Sequence, residues 1–490
     1  MAEQKELESN RIQREKKEQK QVKKKENRKR EKAEKAQEKE NRKREKAEKA
    51  QEKENQKRES KRRREEVRSN KKETQWEKLD NTANLFPAIA TQSMTNVYRI
   101  SVTLTEQIDE ALLQQALDMV LPEFQTFHVR MRKGIFWYYF ETNTKPAPVV
   151  RKEQDYPCRF IEQYDNNNYL FRVTYYNCRI NLEVFHVLAD GMGGVTFLRE
   201  ITYQYLRLRY PELAKDGENT LSDATSLNTE DSYLKNFRKS HKKGYQTRRA
   251  LEVKGEKLLP GEMSVFHGYM KVPEVKEVCK KYDVTINEYF TAVFLYSIYV
   301  EYLHGQPSKK PVVASIPVNL RPYFESLTTR NFFVMVSAVF EADKEDISLE
   351  NVIAIVKESL HSQINKEHLE DLFSYNVSNQ KNIFLRSVPI FFKIWAMRCV
   401  YHSSAKANTT TVTNIGNIKV EEKYQKYIRH FHAMLSRSAG QNIKGAICSY
   451  QDTLVFTITS VLADVSIQRR FFRILASEGI SVEIESNIVS

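Results

Sequence analysis

Phe185-His186-Val187-Leu188-Ala189-Asp190-Gly191 sets an imidazole and a carboxylate four positions apart, ahead of a glycine. An unperturbed imidazole titrates near about pH 6.5, so His186 can take a proton from a hydroxyl or an amine at neutral pH. Asp190, four residues on, could fix the loop that carries it. The same residues also fit a half-buried histidine followed by Asp-Gly in an ordinary turn, and spacing alone leaves both readings open. His430 and His432 alternate so that they could share one face of a strand, which invites a metal site. No third ligand is apparent beside them, and no metal is expected.

His186 needs elements that hold it. Asn181 to Phe185 is apolar and β-branched with partial alternation, as a strand should be. Gly191-Met192-Gly193-Gly194 breaks that pattern, and from Val195 the residues Val195, Leu198, Ile201, Tyr205 and Leu206 recur at helical spacing. The spacing predicts strand, glycine turn, then helix, with His186 at the strand end. Tyr169 to Tyr176 and Arg179 to Phe185 form a hairpin around Asn177-Cys178 that delivers the histidine. Upstream, Val97 to Leu104 reads as a strand and Ile108 to Val120 as an amphipathic helix. Phe127 to Arg132 and Ile135 to Glu141 read as strands about a turn at Lys133-Gly134.

Between Pro211 and Gly261 the chain is polar with little periodicity, a crossover whose Asp216-Gly217-Glu218-Asn219 and His241-Lys242-Lys243-Gly244 read as loops. A second half follows, with a strand at Val265 to Val272, a helix opening at Pro273 and a capping box at Thr285-x-x-Glu288. Val312 to Val318 reads as a buried strand leading into Asn319-Leu320-Arg321-Pro322. The apolar helix around Pro389 to Tyr401 reads as core or as a pocket wall. Thr409 to Thr413 is a β-branched strand ending in Asn414-Ile415-Gly416. Lys444 to Gln451 and Thr453 to Val461 form a hairpin at Asp452, Ile467 to Leu475 a helix and Ile480 to Ile484 a last strand.

Charge divides the chain elsewhere. Of 79 Lys+Arg and 64 Asp+Glu in 490 residues, residues 1 to 75 hold 30 and 18, so +12 of the net +15 lies in that extension. It contains a fourteen-residue unit at 27 to 40 that is duplicated at 41 to 54. Alanine is its only apolar residue, which excludes a coiled-coil seam. Opposite charges four apart support a solvated single helix instead. Docking to anionic lipid or to nucleic acid by charge alone is the functional alternative, and the lack of aromatic residues in the repeat excludes base stacking. The chain opens without an apolar leader segment and holds no uninterrupted apolar span; Arg386, Lys393 and Arg398 break the most apolar stretch. Five cysteines without a Cys-x-x-Cys pair point to reduced, unligated thiols. A cytoplasmic protein, in contact with the inner membrane surface only through its extension, is the expectation.

From about Trp76 onward the chain resembles the CoA-dependent acyltransferase superfamily of chloramphenicol acetyltransferases, plant alcohol acyltransferases and peptide-synthetase condensation domains. It is most similar to bacterial condensation-like alcohol acetyltransferases. The resemblance rests on His186-x-x-x-Asp190-Gly191, Leu79-Asp80-Asn81, Ile135-Phe136-Trp137-Tyr138-Tyr139, Pro317-Val318-Asn319-Leu320-Arg321 and Thr413-Asn414-Ile415-Gly416, in that family's order. It implies an α/β fold of two related chloramphenicol-acetyltransferase-like lobes with mixed sheets and covering helices: residues 76–210 and 262–490, joined by 211–261 and preceded by the 1–75 extension. It implies a monomer with no bound cofactor that takes acyl-CoA as co-substrate and a small alcohol or amine as acceptor. His186 is then the general base. Asp190 and Gly191 shape its loop, Asp190 as an anchor paired with Arg321, and Thr413 or Asn414 donates to the thioester oxyanion. Two departures matter. Phe185 stands where many condensation domains have a second histidine, which disfavours peptide-bond formation on carrier proteins, and the Asp-Phe-Gly-Trp-Gly motif of the plant enzymes is absent. A carrier-dependent condensation-like domain and a non-catalytic scaffold are the rival functions.

Overall fold

The computed structural model describes residues 76–80, 82–214, 229–239, 248–381 and 387–488. The repetitive extension, Asn81, Arg386 and the two crossover segments read as loops lie outside the described residues. Trp76–Ser490 forms one compact unit.

Its first apolar core gathers around a five-stranded sheet. The strand order is Ile428–Leu435, Val97–Leu104, Arg179–Phe185, Phe171–Tyr176 and Arg151–Lys152. Val97–Leu104 pairs antiparallel with Arg179–Phe185, Val97 opposite Phe185, so the strand that ends at His186 is central. Behind it the Glu183 carboxylate is fully buried and binds Arg99 Nε at 2.8 Å, Arg172, and the Cys158 amide at 2.6 Å. A buried charge is tolerated only with such partners. The other edge of this sheet comes from far along the chain: Ile428–Leu435 pairs with Val97–Leu104, although the strands before and after it in sequence, Thr410–Asn417 and Ile443–Tyr450, belong to the seven-stranded sheet.

The second core lies against a mixed seven-stranded sheet, Phe333–Phe340, Val312–Asn319, Thr410–Asn417, Ile443–Tyr450, Thr453–Ser460, Ser264–Lys271 and Glu483–Ser486. The helices Ile286–Tyr302, Leu349–Gln363 and Ser466–Ser477 contribute to it; Phe290, Phe294, Phe456 and Phe471 stack there. Thr285 and Glu288 close the capping box that the sequence predicts. A third, three-stranded sheet pairs Tyr138–Thr142 with Trp76–Lys78 on one side and Val129–Lys133 on the other. Its middle strand starts at Tyr138 rather than Ile135, because Gly134 and Trp137 close the turn between them by a backbone hydrogen bond of 2.9 Å.

Two expectations are corrected. The glycines after His186 are not the turn: Asp190 caps the helix Gly191–Arg209, which already contains Gly193 and Gly194 in its first turn. Glycine is required there because a Cβ on Gly193 would lie 2.1 Å from the Thr329 carbonyl oxygen. The helix Ile390–Ala405 is not core. Only its ends, Ile390 and Ala405, are buried, whereas Phe391 and Trp395 are 72% and 67% exposed. It lies on the surface against the helix Phe86–Ile89, with Arg398 donating to the Ala88 carbonyl at 2.6 Å and Lys393 to that of Phe136 at 2.9 Å. Among the described residues no helix is long and apolar enough to cross a membrane.

Candidate active site

His186 leaves the end of its strand with its backbone N–H bonded to the Asn96 carbonyl at 2.9 Å. The half-buried imidazole stacks on Phe86, centroids 4.6 Å apart, meets Tyr98 edge-on at 5.0 Å and faces Phe333 at 5.5 Å. Phe86 and Tyr98 come from the first half of the chain and Phe333 from the second, so the ring lies where the two halves meet. Nδ1 is 3.0 Å from Asn331 Oδ1. The orientation of that amide is fixed, because its Nδ2 also donates to the His186 carbonyl, which can only accept, and to Asp80 Oδ2, both at 3.2 Å. Oδ1 is therefore the atom turned to the ring, Nδ1 carries the proton, and the Nε2 lone pair is left without a partner among the described residues. Burial lowers the His186 pKa below 6.5, partly offset by the Asp190 carboxylate. The ring is neutral at pH 7, the form a base requires. Asp80 is fully buried, and burial raises its pKa from 3.8 to about 7, against hydrogen bonds from Ala83 and Asn331.

Asp190 ties the loop to the other half of the chain. Its carboxylate accepts a forked pair from Arg321, at 2.8 and 3.2 Å, and also binds the Phe332 amide at 2.9 Å and the Gly193 amide at 3.1 Å. Arg321 Nε and Nη2 are held in turn by the Thr328 and Arg330 carbonyls, at 3.1 and 2.7 Å. The Asp190 carboxylate has no bond to His186; its carbonyl accepts from Tyr98 at 2.8 Å. All of its acceptor sites are used by the scaffold, which makes it an anchor of loop and helix.

Gly191 lies under Ile415, whose Cδ1 is 2.5 Å from where a Cβ on the glycine would stand. Thr413, two residues before Ile415 in the same strand, is buried, and its side chain makes no hydrogen bond among the described residues. Asn414 is exposed and accepts from the Gly416 amide at 2.8 Å. The structure thus brings His186, Asp190, Gly191 and Arg321 to one junction, sets Ile415 of the Thr413 strand against Gly191, and leaves Asn414 exposed.

Asn331 as the partner of His186, and Phe86, Tyr98 and Phe333 as its walls, are not marked by any of the motifs; Asp80, which binds Asn331, lies in Leu79-Asp80-Asn81, which by itself assigns it no role. One signal was available: Thr328-Thr329-Arg330-Asn331 is a short polar run directly before the apolar Phe332 to Phe340, beside Arg321, so its residues sit at a strand end near the same arginine. His430 and His432 do gain a third histidine, His267, with ring centroids of His267 and His432 4.5 Å apart. His432 Nε2 bonds Tyr269, and His267 Nδ1 bonds Thr457, each at 2.8 Å. Burial pushes His267 and His430 down to about 3 and about 4 and lowers His432 too, so all three are neutral at pH 7, His267 and His432 buried and His430 half-buried; no metal-holding cluster occurs among the described residues.

No protein-family model matches the chain, and no curated protein matches it by sequence. Solved structures match by shape. Polyketide synthase associated protein 5 from Mycobacterium tuberculosis superposes with a TM-score of 0.54 at 12% identity, over 82% of this chain and 96% of that one. A trichothecene 15-O-acetyltransferase from Fusarium sporotrichioides gives 0.54 at 9%, over 83% and 94%. The starter condensation domain of rhizomide synthetase, solved with C8-CoA and Leu-SNAC, gives 0.51 at 13%, over 82% and 94%. At these identities the likeness concerns architecture: the described part of this chain has the fold shared by condensation domains and CoA-dependent acyltransferases.

Proposed function

We propose that this protein transfers an acyl group, acetyl in the simplest case, from a CoA thioester to the hydroxyl of a small acceptor. The observation that carries the reading is a neutral histidine at the junction of two halves of this fold, with Nδ1 held by Asn331 and Nε2 unpaired. Nε2 takes the acceptor proton as the hydroxyl oxygen attacks the thioester carbonyl. The tetrahedral oxyanion takes a hydrogen bond from Thr413, or from Asn414 if that segment turns. Collapse breaks the C–S bond, and the sulfur leaves with the proton that His186 carries. No covalent acyl-enzyme is needed. Asp190 and Arg321 act through the backbone they hold. An amine acceptor would follow the same course. Localisation at an anionic surface through residues 1–75 stands as an accessory role separate from this chemistry.

The test is release of free CoA thiol from acetyl-CoA and longer acyl-CoAs across a panel of alcohols and amines. Acceptor-dependent release is the expected result. Turnover restricted to acyl phosphopantetheine on a carrier protein would replace the free-CoA donor by a tethered one, and no release with either donor would leave a non-catalytic scaffold.

A further inference from the structure

One buried charge near His186 is unused by the acyl-transfer chemistry. In the strand Ile443–Tyr450, Ala446, Cys448 and Tyr450 pack into the first core, whereas Ile443 and Ile447 pack into the second. Strand alternation therefore directs Lys444 to the side of Ala446, toward the core from which His186 emerges. Lys444 is only 6% exposed. Its ammonium donates to Ser438 Oγ at 2.5 Å, and no carboxylate pairs with it among the described residues. Its charge reaches the active site, where it disfavours a positive charge on the His186 imidazole.

The surroundings of Ser438 are equally short of negative charge. The Tyr401 phenol has Ser438 and Ala439 as hydrogen-bond partners and lies in the field of Arg437. The Nε of half-buried Arg437 is itself buried without a hydrogen-bond partner among the described residues. Gln441, bridged to Ser438 through the backbone, accepts from Thr411 at 2.6 Å, and Thr411 lies on the same strand as Thr413. A buried ammonium and a phenol thus share the Ser438 hydroxyl, with Arg437 beside the phenol and no acid among them. Burial of such an ammonium against a single neutral oxygen is unfavourable unless something anionic joins it, and burial accordingly lowers the Lys444 pKa to about 7.

We infer that Lys444, with Ser438, forms a subsite for a carboxylate, so that one of the two substrates carries a carboxylate group. That the occupant is a substrate rests on the acyl-transfer reading; the subsite itself does not. The carboxylate could belong to the acyl chain or to the acceptor, and paired substrates separate the two sources.

With a neutral alcohol as acceptor, succinyl-CoA is compared with butyryl-CoA; with acetyl-CoA as donor, lactate is compared with 1,2-propanediol. Wild type is expected to favour the charged member of one pair at least tenfold in kcat/KM, chiefly through KM, and that pair identifies the source. Lys444→Met should bring the ratio toward one, and Lys444→Arg should retain most of it. Equal rates within both pairs in wild type, or a ratio unchanged by Lys444→Met, would overturn the inference. Thermal unfolding judges the subsite even if no acyl-CoA is turned over, an outcome that would sink the acyl-transfer reading alone. Succinate or lactate should raise the Tm of wild type but not of Lys444→Met, against a sodium chloride control of equal ionic strength. Ligand-free Lys444→Met should melt above wild type, since it removes an uncompensated buried charge. A lower Tm, or no ligand shift in wild type, would assign Lys444 a purely structural role.

Discussion

At the scale of single residues, the account turns on what holds His186. Asn331 arrives from 145 positions away and makes Nδ1 the protonated nitrogen. Asn331→Ala should therefore lower kcat by about tenfold to a hundredfold with little change in KM, a part of the roughly 10²–10⁴ that a positioned base supplies. Because burial holds the His186 pKa below 6.5, the acid limb of the kcat/KM profile is expected below that pH; Asn331→Asp, which places a carboxylate against the ring, should move it upward. Asp80 gives a separate signature in stability. Its folded pKa is raised to about 7, so the folded state holds a proton that the unfolded chain releases near 3.8. The contribution is fully present below the unfolded value and is lost as pH rises through about 7, at most about 4 kcal/mol by linkage. Denaturant unfolding of Asp80→Asn should lose that slope, and an unchanged slope would show that another group carries it. A strand ending in His186 was legible from the residues around it. Its partners were not, because a motif records neighbours along the chain and these contacts cross it.

At the scale of elements, the loop and the helix Gly191–Arg209 are positioned by the Asp190–Arg321 fork. Removing one partner of a largely buried pair leaves the other unsatisfied. Arg321→Met should destabilise the protein by about 3 kcal/mol in denaturant titrations and reduce turnover as well; a stable variant with normal rates would contradict the anchor. The strands of the His186 hairpin, the capping box at Thr285 and the hairpin at Asp452 were readable from local pattern, since alternation and turn chemistry act over a few residues. The start of the Gly191 helix was misread because glycine is an ordinary breaker, whereas here close approach to Thr329 demands it in the first turn. For the helix Ile390–Ala405 the core alternative fails, because an apolar run records hydrophobicity and not burial.

At the scale of the whole molecule, the first half of the sequence does not close its own sheet, whereas all seven strands of the second sheet come from the second half. Ile428–Leu435 returns to complete the five-stranded sheet, a pairing that no periodicity announces. The two cores meet at His186, while 12 of the 15 net positive charges lie in residues 1 to 75. Removing that extension should leave a folded chain with acceptor-dependent turnover; loss of turnover on a soluble acceptor would show that the extension takes part in the chemistry. Acceptor-dependent release of CoA thiol, compared between wild type and His186→Ala under identical conditions, reads the role of the imidazole itself. A loss of roughly 10²–10⁴-fold in kcat, with the fold intact by circular dichroism, is the predicted result. Equal rates in the two proteins would contradict the account.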